Sequence, residues 1–154
     1  MSSHTPWMQQ ALEEARRALP HDVPVGALVV RDGQVVAAAC NRREAVPDPT
    51  AHAEVVAIRE ACQQLGTFQL EGCTLYTSCE PCPMCLSAIY WARIERLVYA
   101  CTKEDAAHAG FDDAWIYRQI PLPLHGQAIK STQLGREKGL KVFKAWEDDE
   151  EKTL

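Results

Sequence analysis

The sequence predicts a three-layer α/β/α fold, with a mixed central sheet that carries helices on both faces. Two apolar runs, GALVV and QVVAAAC, flank an Asp-Gly pair at 32–33, which is the pattern of a β-hairpin and supplies an antiparallel pair of strands. Farther along the chain, short apolar strands alternate with helical segments, which is typical of parallel strands joined by helices. The 154 residues suit one domain with a buried core.

The first half of the chain is predicted to contain a helix, the hairpin and a second helix. Residues 6–19 place apolar side chains at helical spacing. Residues 42–50 are rich in charge and proline and are predicted to form a loop. A second helix is expected over about 51–65, where Thr50 would cap its start and Gly66 would end it.

The second half of the chain is predicted to alternate strands and helices before it becomes less regular. CTLYTS at 73–78 and RLVYAC at 96–101 have the composition of short strands. Between them, Pro81 is expected to open a helix that continues through CLSAIYWA. A short helix is expected around 114–120 and a final helix over 136–151.

Composition points to the cytoplasm. The longest apolar runs are far too short to span a bilayer, and the first twenty residues, MSSHTPWMQQALEEARRALP, lack the apolar region of a signal peptide. Seven cysteines are an odd number, which fits reduced thiols and metal ligands better than a framework of disulfides. We therefore expect a cytoplasmic protein without a membrane partner.

The charge distribution argues against a nucleic-acid partner. The formal net charge is −5, and five of the 21 acidic residues lie in the run EDDEE at 147–151. The remaining acidic residues equal the 16 Lys and Arg residues in number, so the rest of the chain is near neutral. Binding to a phosphate backbone usually requires a basic patch.

The stretch TSCEPCPMC at 77–85 carries three cysteines, of which two have the spacing of metal ligands. Cys82 and Cys85 lie three residues apart in a predicted first helical turn, so both sulfurs face the same side. Pro81 holds the residue before it extended, which puts Cys79 about 10 Å from Cys82 along the chain. Two zinc-bound sulfurs lie closer together than that. The spacing predicts that Cys82 and Cys85 bind and that Cys79 packs.

His52 and Glu54 complete the candidate site. His52 is the nearest candidate for a third ligand, and a His-Cys-Cys set leaves the fourth position of a tetrahedral zinc ion for water, as in catalytic sites. Glu54 follows two residues later and is a candidate proton shuttle. The alternative is a closed site in which Cys79 is the fourth ligand and the metal only braces the fold.

The combination of HAE at 52–54 with PCPMC at 81–85 is the signature of zinc nucleobase deaminases. Together with AIYWAR and DAAHAGFDDAWIYRQI, these motifs closely resemble the cytidine-deaminase-like superfamily, and within it the bacterial guanine deaminases. The likeness extends from about Val25 to Tyr117, whereas the segment from about Leu122 is divergent. The resemblance implies a single CMP/dCMP-type deaminase domain over 1–154.

The resemblance implies hydrolytic deamination of a free purine base, guanine, to xanthine and ammonia. One Zn²⁺ per chain would be held by His52, Cys82 and Cys85, and Glu54 would be the catalytic proton shuttle. The partners implied are a small purine base and water, together with a second copy of the chain in a homodimer.

Five further positions correspond to substrate-binding residues of the family: Asn41, Ala53, Trp91, Asp112 and Asp113. The amide of Asn41 could pair with the purine edge, and Trp91 could stack on the ring. A carboxylate would select guanine through N1–H, which adenine lacks, and we favour Asp113 over Asp112 for this role. The alternatives are a turn cap for Asn41, a core position for Trp91 and a helix cap for the two aspartates.

Other functions remain open at this point. VPVGALVV near Val25 is more similar to the tRNA adenosine deaminases, because guanine deaminases often have an aromatic residue there. The enzyme alternatives are therefore conversion of adenosine to inosine in tRNA and deamination of a related ring, such as another aminopurine or a triazine. The non-enzyme alternative is a binding module braced by structural zinc.

Overall fold

The computed structural model of the protein describes residues 3–152. The strands are β1 (Gly26–Arg31), β2 (Gln34–Cys40), β3 (Cys73–Cys79) and β4 (Arg96–Cys101). The α-helices are α1 (Thr5–Ala18), α2 (Ala53–Leu65), α3 (Pro83–Trp91), α4 (Lys103–His108), α5 (Ala114–Gln119) and α6 (Arg136–Glu147). A short 3₁₀ helix lies at Leu124–Gly126.

The strands form one mixed sheet in the order β2-β1-β3-β4. β1 is antiparallel to both β2 and β3, whereas β3 and β4 are parallel. The predicted hairpin is present: Asp32 and Gly33 form its two-residue turn with φ of 51° and 72°. Positive φ at both positions is what such turns require, and Asp and Gly tolerate it well.

Alternating residues of β1 connect the sheet to helices on its two faces. Ala27 and Val29 belong to the larger core cluster, which also contains residues of α2 and α3. Leu28 and Val30 pack instead with α1. Because successive strand residues point to opposite faces, α1 covers one face and α2 with α3 covers the other. The predicted three-layer α/β/α architecture is confirmed.

The start of α2 differs from the prediction. Thr50 is not its cap, because the helix begins at Ala53 with His52 at the N-cap position. The His52 side chain makes no capping bond. Instead, the side-chain oxygen of Asn41, at the end of β2, accepts a hydrogen bond from the Ala53 N–H at 2.8 Å. Asn41, which directly follows β2, therefore caps the helix in place of Thr50.

α3 begins two residues later than predicted. Pro83, rather than Pro81, occupies the first helical position. The residue before a proline is restricted to extended conformations, and Cys82 is extended with φ −65° and ψ 169°. Cys82 is therefore the N-cap residue, and Cys85 lies in the first turn. The final helix is also shorter than predicted, since α6 ends at Glu147.

The chain divides into two compact units between Ile116 and Tyr117. The first unit contains the sheet, α1 to α4 and both core clusters. The second contains the 3₁₀ helix and α6, and none of its described residues, 117–152, is buried. Within residues 3–152, no helix is both long enough and apolar enough to cross a membrane.

Candidate active site

The three predicted metal ligands converge where α2 and α3 begin. The Nδ1 atom of His52 lies 3.6 Å from the Sγ atom of Cys82 and 3.5 Å from that of Cys85. All three ligand atoms lie within 4.8 Å of one another. A tetrahedral zinc ion with ordinary Zn–N and Zn–S bonds separates its nitrogen and sulfur ligands by about 3.6 Å. The donor atoms therefore have the type and the spacing that zinc requires.

The thiols of the cluster differ in their affinity for a proton. The Cys85 thiol donates a hydrogen bond to Cys82, and together with His52 this lowers the pKa of Cys82 to about 4 against the effect of burial. The hydrogen bond to Cys82, followed by burial, raises the pKa of Cys85. The hydrogen bond to Cys82 also raises the pKa of His52. Cys82 is thus a ready thiolate ligand, and metal binding displaces protons from its neighbours.

Cys79 lies outside this cluster and faces the adjoining cavity. Burial, followed by the charge of Glu54, raises the pKa of its thiol to about 11. Its Sγ atom is not among the donor atoms that lie within 4.8 Å of one another, which belong to His52, Cys82 and Cys85. The geometry therefore supports the expectation that Cys82 and Cys85 are ligands and that Cys79 is not.

Glu54 lies beside the ligands in the first turn of α2 and is only 3% exposed. Its Oε1 atom accepts a hydrogen bond from the Thr77 hydroxyl at 3.3 Å, and its Oε2 atom lies 3.4 Å from the Sγ atom of Cys85, as a second acceptor for the single proton of that thiol. Burial raises the pKa of this carboxyl. A buried carboxyl group with a raised pKa, next to a candidate metal site, is suited to general acid and base catalysis.

A cavity of about 570 Å³ opens next to the cluster, a size that suits a small-molecule ligand. One side, which we call the metal wall, is formed by His52, Glu54 and Cys82. A second part of the lining, which we call the loop wall, is formed by Gly110, Phe111, Asp112, Asp113 and Ile116. All of these residues belong to the first compact unit.

Asn41 lines the cavity, whereas Ala53 is fully buried behind it. The side-chain oxygen of Asn41 accepts the Ala53 N–H, so this backbone group is engaged within the protein. The amide nitrogen is the end of Asn41 that can donate to a ligand. Asn41 can therefore act both as a cap and as a substrate-binding residue, because its amide oxygen holds the Ala53 N–H while its amide nitrogen can donate to a ligand.

The two aspartates of the loop wall have different surroundings. The Asp112 carboxylate accepts the Ala114 N–H at 2.8 Å, so it holds the start of α5 as a cap would. Asp113 is half-buried. Burial, followed by the charges of Cys82 and Asp112, raises the pKa of Asp113. The geometry favours Asp113 over Asp112 as the residue that meets a ligand.

Trp91 is not brought to the cavity within one chain. It is the last residue of α3, it is 86% exposed and it is not among the lining residues. Thr77, the buried partner of Glu54, was not predicted from the sequence. The sequence did contain an indication of its role. Thr77 is a polar residue on the inward face of β3, where the other inward residues, Cys73 and Leu75, are apolar.

Comparison with known proteins places these residues in a wider context. Residues 1–101 match the cytidine and deoxycytidylate deaminase zinc-binding region. The chain is 52% identical over 123 residues to the guanine deaminase of Bacillus subtilis, a match that covers 80% of this chain and 79% of the relative. It is 46% identical over 105 residues to the tRNA-specific adenosine deaminase of Aquifex aeolicus, with 68% of each chain covered. The crystal structure of the Bacillus subtilis guanine deaminase superposes with a TM-score of 0.95 and 44% identity, covering 99% of each chain.

Proposed function

The chain belongs to the deaminase family defined by the cytidine and deoxycytidylate deaminase zinc-binding region, and from this premise we propose that it deaminates guanine to xanthine and ammonia. One observation carries the choice of substrate. The likeness to a guanine deaminase structure extends over 99% of the chain and so includes the loop wall. By sequence, the match to the Bacillus subtilis guanine deaminase covers 80% of the chain, and the match to the Aquifex aeolicus tRNA-specific enzyme covers 68%.

The metal wall supplies the chemistry. His52, Cys82 and Cys85 would hold the zinc ion, since their donor atoms have tetrahedral spacing. Zinc lowers the pKa of water at such a site and so provides a nucleophile at neutral pH. Glu54 would take one proton from this water and pass it to N3 of the ring, and it would then carry the remaining proton of the hydroxyl added at C2 to the amine, which leaves as ammonia. The burial of this carboxyl and its contact with Cys85 place it directly beside the proposed metal ligands.

Asn41 and Asp113 would orient the purine. The amide nitrogen of Asn41 can donate to an acceptor atom on the edge of the ring, because the oxygen is held by Ala53. The carboxylate of Asp113 can accept from N1–H of guanine. Adenine has no proton at N1 and would leave a half-buried carboxylate unpaired, which disfavours its binding.

We also propose a homodimer. The unit that begins at Tyr117 exposes large apolar side chains, among them Leu134, Val142 and Phe143. In the first unit, Tyr90 and Trp91 are exposed at the end of α3. Exposed apolar surface of this extent is typical of regions that a partner protein covers. Because most soluble oligomers are symmetric homodimers, we propose a second copy of the chain as that partner. Trp91 of one subunit would then stack on a purine bound in the cavity of the other.

The setting we propose is the cytoplasm, with a free base rather than RNA as substrate. All seven cysteines are unpaired, which suits a reducing compartment. Apart from the run at 147–151, acidic and basic residues balance, so the chain has no excess of positive charge for a phosphate backbone. Retention of the protein by tRNA at physiological salt would contradict this part of the proposal.

The deciding experiment is ultraviolet-monitored conversion of guanine to xanthine by zinc-loaded protein. Glu54→Gln should lower kcat by about 10²- to 10⁴-fold while zinc remains bound, because the variant removes only the proton shuttle. Glu60→Gln, which changes a partly exposed carboxylate of the same helix, should retain activity. Zinc-loaded protein that deaminates adenosine in tRNA but leaves guanine unchanged would reject the proposed substrate.

A further inference from the structure

Thr77 is a fully buried polar side chain on β3, next to the metal wall. The strand alternates, and Cys73 and Leu75, which point to the same face, belong to the apolar cluster with α2 and α3. Thr77 continues this face at 0% exposure. A buried hydroxyl costs free energy unless it forms hydrogen bonds, so its partners indicate why a hydroxyl is placed here.

The hydroxyl has two acceptors within reach. Its Oγ1 atom lies 3.3 Å from Oε1 of Glu54 and 3.0 Å from the carbonyl oxygen of Cys79. It also accepts the Cys79 N–H at 3.4 Å, which orients it from the strand. A hydroxyl carries one proton and donates one hydrogen bond at a time. An ionised carboxylate is a stronger acceptor than a carbonyl, so Glu54 is the preferred acceptor whenever it is charged.

We propose that Thr77 is a positioning residue for Glu54, an inference that rests on the deaminase function proposed above. The hydroxyl holds Oε1 and so fixes the plane of the carboxyl group. Oε2, on the side of Cys85, is then the oxygen that exchanges protons during turnover. Oε1 is an acceptor whether or not Oε2 carries a proton, so Thr77 can hold the carboxyl in both forms that a proton shuttle adopts.

Thr77 does not itself line the cavity. It therefore has no direct contact to offer a purine, and its effect should fall on kcat and leave KM nearly unchanged. A purely structural role at the end of β3, through Cys79, makes a different prediction. In that case loss of the hydroxyl would lower the melting temperature, while kcat of the folded, zinc-loaded protein would stay the same.

The test compares Thr77→Val, which keeps the shape and removes the donor, with Thr77→Ser, which keeps the donor. Thr74→Val is the matched control, since Thr74 lies on the same strand and away from the cavity. For zinc-loaded protein, Thr77→Val should lower kcat about ten- to a hundred-fold with KM within about two-fold, as expected for a lost hydrogen bond to a charged group. Thr77→Ser should restore most of kcat, and Thr74→Val should match the wild type.

A second measurement does not depend on the substrate. The infrared band of the Glu54 carboxyl, assigned by its loss in Glu54→Gln, should shift in Thr77→Val and keep its position in Thr77→Ser. If Thr77→Val does not fold, Thr77→Cys, whose thiol is a weak donor, replaces it with the same expectations.

The two measurements separate the failure of this inference from failure of the proposed function. If the wild type deaminates guanine and Thr77→Val leaves either the infrared band or kcat unchanged, the role of Thr77 is overturned and the proposed function stands. A wild type that does not deaminate guanine overturns the proposed substrate. In that case the band alone decides whether Thr77 holds Glu54.

Discussion

The metal wall and the loop wall of the cavity differ in how firmly the protein holds them. On the metal wall, Glu54 is almost completely buried and is hydrogen-bonded through both carboxyl oxygens. On the loop wall, Phe111 and Asp112 are exposed, and only Asp113 is half-buried. The metal wall lies within residues 1–101, which match the family region, whereas the loop wall lies beyond them. The candidate metal ligands and Asp113, the residue proposed to select guanine, therefore lie in separate stretches of this chain.

This separation has a physical reason. Ligand atoms must lie within tenths of an ångström of fixed positions, and only packed helices and strands hold side chains to that tolerance. A purine can be selected by a few hydrogen bonds from a loop, because each unpaired partner penalises the wrong base. A loop can change without disturbing the metal site beside it.

The largest expected effect comes from removing a metal ligand. Cys82→Ala should lower the zinc content from one ion per chain to near zero and reduce turnover to the background rate, because two ligands rarely hold zinc in competition with water. Metal analysis of the purified variants would measure this. Cys79→Ala is the matched control and should retain zinc, since its thiol lies outside the cluster. Loss of zinc from the Cys79 variant would contradict the assignment and favour the closed four-ligand site.

Zinc affinity should also depend on pH in a defined direction. The pKa values of His52 and Cys85 are both raised, so each keeps its proton to a higher pH than usual. Zinc must displace these protons in order to bind. We therefore expect the apparent affinity to fall as the pH is lowered below neutral, and competition with a chelator across a pH series would measure it. A flat profile would mean that no proton is released on binding.

A smaller effect is expected at the loop wall, where the two aspartates can be separated. Asp113→Asn should lower kcat/KM for guanine about a hundred-fold, since it replaces the charged acceptor that we propose for N1–H, and zinc should remain bound. Asp112→Asn keeps an oxygen that can accept the Ala114 N–H and should stay within about three-fold of the wild type. Steady-state kinetics of both variants would decide the choice. The opposite ranking would move the substrate contact to Asp112.

The sequence predicted the metal wall more completely than the loop wall, because ligand spacing is local and substrate contacts are not. His52, Glu54, Cys82 and Cys85 follow from two short motifs, and the structure brings all four together. The exposure of Trp91 could not be predicted. A helical sequence pattern does not show which residues at the end of the helix are covered by other parts of the chain.

The helix starts show the same limit. Thr50 was the wrong cap for α2, because the Ala53 N–H donates its hydrogen bond to Asn41, which directly follows β2. α4 was not predicted at all, because its residues, KEDAAH, bury no side chain and show no apolar periodicity. A local signal did exist, since Thr102 and Asp105 form a capping box at its start.

The smallest effect concerns the support of the cavity, and it should appear in stability rather than in catalysis. Asp22 accepts hydrogen bonds from the Arg43 side chain at 3.0 Å and from the Glu44 N–H at 3.1 Å, and its side chain is only 5% exposed. Burial alone would raise the pKa of Asp22, but the hydrogen bonds from Glu44, Val23 and Arg43 outweigh it and lower the pKa. Arg43 lines the cavity, so Asp22 anchors the segment between β2 and α2.

Because the pKa of Asp22 is lower in the folded state, its contribution to stability is present above the unfolded pKa and is lost as the pH falls through the folded pKa. Asp22→Asn should therefore lower the free energy of unfolding by about 1–2 kcal/mol at pH 7, with kcat nearly unchanged. The difference from the wild type should shrink below about pH 4, where the unfolded-state carboxyl is protonated. Denaturant unfolding at both pH values would measure it, with Asp149→Asn as an exposed control. A difference that stays constant with pH would show that the carboxylate's charge is not what anchors the segment, and that the hydrogen bonds alone support this side of the cavity.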